Sequence, residues 1–329
     1  MFCRKWAMIR FLARRLAYAV FLLLGVSLLT FVLIDLAPGQ YLAEMRLNPQ
    51  ISVQTLSALE SQYGLNQPLP VRYARWLGSV SRGELGFSFE YNSAVWPLIK
   101  VRVRNTLILT ITALICSWSL AISIGLWSAV RHGRWEDRVL GVGTSLLLAT
   151  PNILIGLALL AFALHVRWLP TGGMNSLGLG EAGVFVRAKD LAWHMLLPLV
   201  ALIAAALPLL VRHVRSAMVG VLNSSFIVAA RGHGVPRFRL LLRHALPAAM
   251  NPLISLLGVS LGTLLSGSLL IEVIMSWPGL GPMLLQAILE RDPYIVIAAV
   301  MFSTLFLVVG NLFSDVLLYS SDPRIKCEP

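Results

Sequence analysis

The segment from Phe226 to Pro247 gathers the residue types best suited to chemistry of a mechanical kind. It reads Phe226-Ile-Val-Ala-Ala-Arg-Gly-His-Gly-Val-Pro-Arg-Phe-Arg-Leu-Leu-Leu-Arg-His-Ala-Leu-Pro247. Ala229 and Ala230 favour helix and are small enough for close contact. Gly232 and Gly234 can take φ > 0 and end a turn. Pro236 stands where a helix restarts at its first turn. Beyond it Phe238, Leu241, Leu242 and Ala245 fall on one face at helical spacing, and Arg237, Arg239 and Arg243 on the polar side. The pattern predicts a helix–break–helix element held at a membrane surface. Binding to anionic lipid accounts for its charge, but not for its small residues or its break.

Other chemistry is thin. No Gly-x-x-x-x-Gly-Lys-[Ser/Thr] loop is present, and Gly-Lys does not occur at all, so this chain lacks the usual phosphate cradle. His-Glu-x-x-His does not occur, and the Gly-x-Ser-x-Gly spacing occurs only as Gly258-Val-Ser-Leu-Gly262, inside an uncharged apolar run. Cys3, Cys116 and Cys327 are far apart and in no ligand-like spacing, which argues against a disulfide framework or a zinc site. His132, His213, His233 and His244 lie beside arginines in loops and read as solvated. Asp35, Glu272 and Asp315 fall near the ends of apolar runs, so no acid stands mid-span to couple an ion.

The elements that must position the segment follow from apolarity. Hydrophobic residues are 57%, charged residues 13% and mean hydropathy is +0.77, where a soluble chain carries about 25% charge. The net charge of +12 sits in short segments beside apolar runs, as membrane proteins place it, and not in a nucleic-acid footprint. Runs of membrane-spanning length predict an all-α protein with six transmembrane helices: one at 14–37, then near 105–130, 139–165, 194–215, 252–275 and 293–319. Backbone in lipid must satisfy its own hydrogen bonds, which makes these runs helices. The run at 16–34 is too long for a signal peptide and reads as an uncleaved first helix.

Arginine placement predicts orientation. Arg4, Lys5, Arg10, Arg14 and Arg15 precede the first helix, and Arg212, Arg215, Arg231, Arg237, Arg239 and Arg243 follow the fourth with no acid among them. A 1–13 N-terminus, a 220–250 loop and a 321–329 tail on the cytoplasmic side result. The 38–103 segment becomes a small extracytoplasmic cap, with Val53, Leu56, Leu59 and Tyr63 marking an amphipathic helix. Pro151, Pro208, Gly258, Gly262 and Gly267 punctuate the helices and are read chiefly as packing positions.

The 220–250 loop resembles the "EAA" signature of ABC importer permeases: Glu-Ala-Ala, three residues, Gly, nine residues, then Ile-x-Leu-Pro. Here it is Val228-Ala229-Ala230, Gly234 and His244-Ala245-Leu246-Pro247, with both spacings kept. Val228 replaces Glu, a departure common in the peptide branch, and His244 replaces Ile. Further segments resemble the dipeptide/oligopeptide/nickel permease branch: Leu36-Ala-Pro-Gly39, Tyr63-Gly-Leu-Asn-Gln-Pro-Leu69, Gly83-Glu-Leu-Gly-Phe-Ser88, Trp168-Leu-Pro-Thr-Gly-Gly173, Glu272-Val-Ile-Met-Ser-Trp277-Pro278-Gly279-Leu-Gly281 and Asp322-Pro-Arg-Ile325.

The resemblance implies a type I ABC importer permease with no cofactor of its own. ATP and magnesium belong to two partner ATPase subunits. A second homologous permease, an extracytoplasmic solute-binding protein and membrane lipid complete the implied partners, with no nucleic acid. It further implies that Ala229, Ala230, Arg231, Gly234, Pro236, Arg237, His244, Leu246 and Pro247 form the ATPase-coupling loop. Glu272, Trp277, Pro278, Gly279 and Gly281 form a family motif near the extracytoplasmic side. Di- or oligopeptides are the implied substrate, with nickel or metal chelate, glutathione and opine-like compounds as alternatives. A secondary transporter or channel is the rival of another class.

Overall fold

A computed structural model describes residues 2–36, 67–176, 178 and 183–321, with side chains from Arg10 to Ser320 apart from Phe11. The predicted amphipathic helix near 53–63 and the 322–325 motif lie outside the described residues. The described residues are helical almost throughout. In order come α1 (Phe2–Leu36), α2 (Leu69–Val80), a hairpin of β1 (Phe87–Ser88) and β2 (Ser93–Ala94), α3 (Val95–Val130), α4 (Trp135–Ala149) and α5 (Asn152–Val166). Then follow α6 (Val184–Leu222), α7 (Ser225–Gly232), α8 (Arg237–Arg239), a π-helical turn (Leu240–Ala245), α9 (Leu246–Ile274), α10 (Leu280–Leu289) and α11 (Pro293–Ser321).

Among the described residues five helical stretches are long and apolar enough to cross a membrane, and α4 with α5 makes a sixth if the bent pair is counted as one span. The expected continuous helix over 139–165 is therefore corrected: α4 and α5 meet at 98°. Pro151 is the reason. It caps α5 at φ −58° and ψ 139°, lacks the N–H that a continuous helix would use and crowds the preceding turn. Pro208, and Pro198 before it, sit inside α6 without ending it. The second helix also begins earlier than expected, at Val95, so 95–103 is helical and continuous with it.

The residues form two compact units: 1–9, 106–277 and 306–329 in the first, 10–105 and 278–305 in the second. In the second, Phe31 of α1, Trp76 of α2 and Ile297 of α11 make a small buried core. Phe31 lies 5.3 Å from the rings of both Tyr73 and Trp76, and Arg72 pairs with Asp35 at 2.9 Å. Asp292 is buried. It accepts from Ser88 Oγ at 2.6 Å and caps α11 through the Ile295 amide at 3.3 Å, which fastens the hairpin to the helix start.

The first unit packs through small residues. A Cβ on Gly258 of α9 would lie 3.0 Å from the Asn311 Cα of α11. Beside it Ser314 Oγ donates to the Ile254 carbonyl. One on Gly125 of α3 would stand 2.8 Å from Val214 Cβ of α6. Lipid offers no hydrophobic drive between helices, so close backbone approach is what holds them. A branched side chain at Gly258 meets backbone. Gly258→Val should cost about 1–3 kcal/mol and lower the thermal midpoint in detergent. Gly141→Ala, where a Cβ meets nothing within 4 Å, should leave it unchanged or raise it.

Where α3 turns into α4, Asp137 is 5% exposed and gathers donors from three elements. Ser128 Oγ donates to Oδ1 at 2.5 Å and the Gly133 amide to Oδ2 at 3.0 Å. Arg215 of α6 closes the set with Nε to Oδ1 at 2.6 Å and Nη2 to Oδ2 at 2.7 Å. Arg215→Ala leaves that carboxylate short of its paired cation and should cost about 2 kcal/mol. The Asp137→Ala/Arg215→Ala double variant should be more stable than the sum of the two single losses, read as a double-mutant cycle of thermal midpoints.

Candidate functional site

The Ser225–Ala245 segment begins where α6 ends, and its break is a defined hydrogen-bonded cap. Gly234 takes φ +77°. Its amide donates to the Arg231 carbonyl at 3.0 Å and the Val235 amide to the Ala230 carbonyl at 3.3 Å. These two bonds close the Schellman arrangement, in which the left-handed residue is most often glycine. The apolar contact that accompanies such caps is present, since Ala230 and Val235 pack on one hydrophobic cluster. Gly232, expected to share the turning role, instead stays helical as the last residue of α7.

Chain direction resumes at Pro236, whose carbonyl accepts the Leu240 amide at 2.9 Å. The next turn differs from expectation. Leu240–Ala245 is π-helical, and its wider turn brings Leu240 and Ala245 to the buried side, 1% and 0% exposed. The apolar face read at α-helical spacing, Phe238 with Leu241, Leu242 and Ala245, is therefore split. Phe238 at 75% and Leu242 at 42% exposed point away from the cluster, and Leu241 packs on it.

The segment is stiffly seated. Ile227, Leu240, Ala245, Ala249 and Leu253 share a buried cluster with Ala129 of α3 and Val211, Val214 and Met218 of α6. Arg215, which clamps Asp137, lies on α6 between Val214 and Met218, so the ion pair and the cluster brace the same stretch of helix. Of the sequence-predicted residues, Ala229, Arg231, Gly234, Pro236, Arg237, His244 and Pro247 are exposed, and Ala230 and Leu246 are half-buried. Outward from the segment stand Phe226, Val228, Phe238 and Leu242, interleaved with Arg231, Arg237, Arg239 and Arg243.

The Glu272–Gly281 group is at the far end of α9. From Leu246 to Glu272 the helix rises about 39 Å at 1.5 Å per residue, so the two groups are not brought together. α9 ends in a second Schellman pair: Trp277 N to Glu272 O at 2.8 Å and Ser276 N to Val273 O at 3.3 Å. The left-handed position is Ser276, at φ +49°. Its carbonyl accepts the Gly173 amide at 3.2 Å, and a Cβ on Gly172 would stand 3.2 Å from the Met275 carbonyl. The Trp168–Gly173 and Glu272–Trp277 motifs, distant in sequence, thus form one knot. Trp277 is fully buried there with Leu169. In the second unit the Pro278 carbonyl accepts Asn105 Nδ2 at 2.8 Å. Glu272, expected near a helix end, is there, but it is fully buried. Asp137 and Asp292 are buried as well, and each accepts from a backbone amide near a helix start.

Sequence reasoning passes over the Asp137–Arg215 clamp. Asp137 reads as one charge in a basic loop, and its partner is 78 positions away. The available signal was local: an acid in the first turn of a helix, where the helix dipole favours it, one residue before the last charge that precedes a long uncharged run.

Residues 121–326 match the family described as binding-protein-dependent transport system inner membrane component, and residues 8–110 match its N-terminal component. The oligopeptide transport system permease protein AppB of Bacillus subtilis is 34% identical over 97% of this chain and 100% of its own length. The dipeptide transport system permease protein DppB of Escherichia coli is 31% identical over 97% of this chain and 99% of its own. The glutathione transport system permease protein GsiC of Salmonella paratyphi A is 32% identical with the same coverage. Among solved structures, an inward-facing MetNI methionine ABC transporter aligns with TM-score 0.56 and 16% identity, over 68% of this chain and 96% of that one, a likeness of fold. A helical chain with five or six candidate spans, matched over residues 8–110 and 121–326, belongs to the binding-protein-dependent transport system inner membrane component family, the multi-pass permeases of ABC importers.

Proposed function

We propose that this chain is a permease subunit that moves di- and oligopeptides into the cell, with its basic end in the cytoplasm and ATP hydrolysed by two separate ATPase subunits. The observation that carries the reading is the outward strip of Phe226, Val228, Phe238 and Leu242 among four arginines, on a segment too rigidly seated to be a passive loop. Exposed apolar side chains of this size, rimmed by charge, mark a docking surface. The chain has no Gly-x-x-x-x-Gly-Lys loop of its own, so the motor is a partner. The peptide assignment rests on relatives named for oligopeptides and dipeptides. A relative named for glutathione, itself a tripeptide, is consistent with it.

Mechanically, the strip is the handle. ATP-driven closure of the ATPases displaces α7 and the π-helical turn as a body. The Leu240–Ala249 packing carries that displacement into α9 and α6, which alternate between inward-open and outward-open arrangements with a second permease. Small interface shifts are transmitted in this way because packed elements move as units. An extracytoplasmic binding protein presents the peptide at the other face. Both termini are cytoplasmic in this reading, following the arginines.

Two expected outcomes test it. Gly234→Val forces a β-branched residue into a left-handed turn at about 1–3 kcal/mol. In reconstituted vesicles it should abolish uptake of a labelled dipeptide and the stimulation of ATP hydrolysis by loaded binding protein. Full uptake at normal expression sinks the coupling role, and uptake of nickel in place of dipeptide sinks the substrate. Phe238→Asp, at an exposed site that need not disturb folding, should weaken ATPase association by about 2 kcal/mol, about thirtyfold, as measured by co-purification.

A further inference from the structure

The face between α4 and α6, beside the Asp137 clamp, carries a groove that the coupling reading does not use. Its volume is about 780 Å³ and its lining includes Arg138, Val142, Ser145, Leu146, Ala149 and Arg212. Three arginines border it, and one of them is neutralised. Arg215 is committed to Asp137 through two nitrogens. Arg212 has a hydroxyl for company, with Nη2 donating to Ser145 Oγ at 2.5 Å. Neither Arg212 nor Arg138 has a carboxylate partner among the described residues, and the neighbouring Glu136 is held by Arg131 at 2.9 Å. The charge left in the groove is positive.

The depth of those two side chains is informative. Arg138 is the last charge before the uncharged run of α4 and α5, and Arg212 is the first after the uncharged run 195–211 of α6. Both guanidinium groups therefore lie at the boundary of the hydrocarbon layer, the level of lipid phosphates. From there Val142, Leu146 and Ala149 continue along α4 toward the membrane interior, with Val142 and Leu146 61% and 65% exposed. Gly141 leaves the groove open, since a Cβ there would meet nothing within 4 Å. A soluble anion would leave the apolar wall unused. An apolar helix laid in the groove would leave two guanidinium groups without an anion, which is costly.

We propose that the α4–α6 groove binds one anionic phospholipid of the phosphatidylglycerol or cardiolipin kind. Its phosphate takes Arg138 and Arg212, whose planar forks match phosphate oxygens. An acyl chain lies on Val142, Leu146 and Ala149. The site requires only that α4 and α6 enter the membrane. It does not depend on the docking role of Phe238. Because it adjoins Arg215, the lipid braces the same stretch of α6 that seats the Ser225–Ala245 segment.

The test uses the whole purified transporter, with bound lipid counted by native mass spectrometry and the thermal midpoint followed during titration. Phosphatidylglycerol should bind and raise the midpoint, while phosphatidylcholine and inorganic phosphate should not. Arg138→Gln/Arg212→Gln should weaken phosphatidylglycerol binding about thirtyfold, from about 1 kcal/mol per arginine at 1.4 kcal/mol per tenfold. Arg138→Lys/Arg212→Lys should retain most of it. Gly141→Phe fills the groove with both arginines intact and should weaken binding at least about tenfold, which separates a seat from general surface attraction. It also carries the test if the double glutamine variant does not fold. Unchanged lipid binding in Gly141→Phe overturns the proposal. So does a midpoint rise reproduced by inorganic phosphate, and so does an unaltered lipid count with loss of the permease pair. ATPase co-purification, expected to be normal in every variant, reports on the docking surface separately.

Discussion

A carboxylate without water nearby must be matched donor for donor, and Asp137 shows what that requirement does to a membrane protein. Its two oxygens are met by a serine on α3, a backbone amide in the turn and two N–H groups along one edge of a guanidinium from α6. Each donor lies on a different element, so satisfying the charge fixes three elements together. Gly133 can offer its amide because it sits at φ +81°. Gly125 lets α3 approach α6 one helical turn below. The apolar cluster that supports the Ser225–Ala245 segment is built on that fixed frame. A handle transmits force only if its mounting does not yield, and here the mounting is a buried carboxylate held by a half-buried arginine beside a close-packed core.

Elsewhere the same polar accounting shapes the helices differently. Lipid gives no solvent-driven attraction between helices, and contact is obtained by removing side chains at Gly258, Gly262 and Gly310 so that α9 and α11 nearly touch. Prolines act according to position. Pro198 and Pro208 are absorbed within α6, while Pro151 with Thr150 before it breaks a span at 98°. A break exposes carbonyls and amides that a straight helix would pair. Thr150 answers part of this by donating its hydroxyl to the Leu146 carbonyl at 2.9 Å.

Much of this was legible in sequence because hydropathy and arginine placement are long-range averages that local detail does not disturb. The spans near 105–130, 194–215 and 293–319 each lie within an observed helix, and that near 252–275 overruns its helix by one residue. The pattern Ala230, Gly234, Val235 reads as a helix stop and is one, through two specific bonds. What escaped was what averages hide. The π turn changes the register by a fraction of a residue, enough to bury Leu240 and expose Leu242, and no periodicity rule tuned to 3.6 residues finds it. Pro151 was visible as an interruption, but its angle depends on what the two halves pack against. The Asp137–Arg215 pair joins residues far apart in the chain, and the knot of Gly173 with Ser276 needs a serine in a conformation that its type does not advertise.

The arginines of the basic end show why a single charge count says so little. Arg215 is structural, held on a buried acid. Arg138 and Arg212 stop at the edge of the apolar runs, where only a ligand that is itself anchored in the membrane can answer them. Arg231, Arg237, Arg239 and Arg243 stand among exposed apolar side chains on a rigid mount. The positive-inside tendency treats all seven alike. Burial, depth and neighbours divide them into a clamp, a lipid seat and a docking rim. The three roles are compatible because they occupy successive stretches of chain, with the groove at the edge of the apolar runs, the clamp one turn further along α6 and the rim beyond it. A force applied at the rim passes along α6 through the clamp at Arg215 and then the groove at Arg212, so whatever fills that groove bears on how stiff the path is.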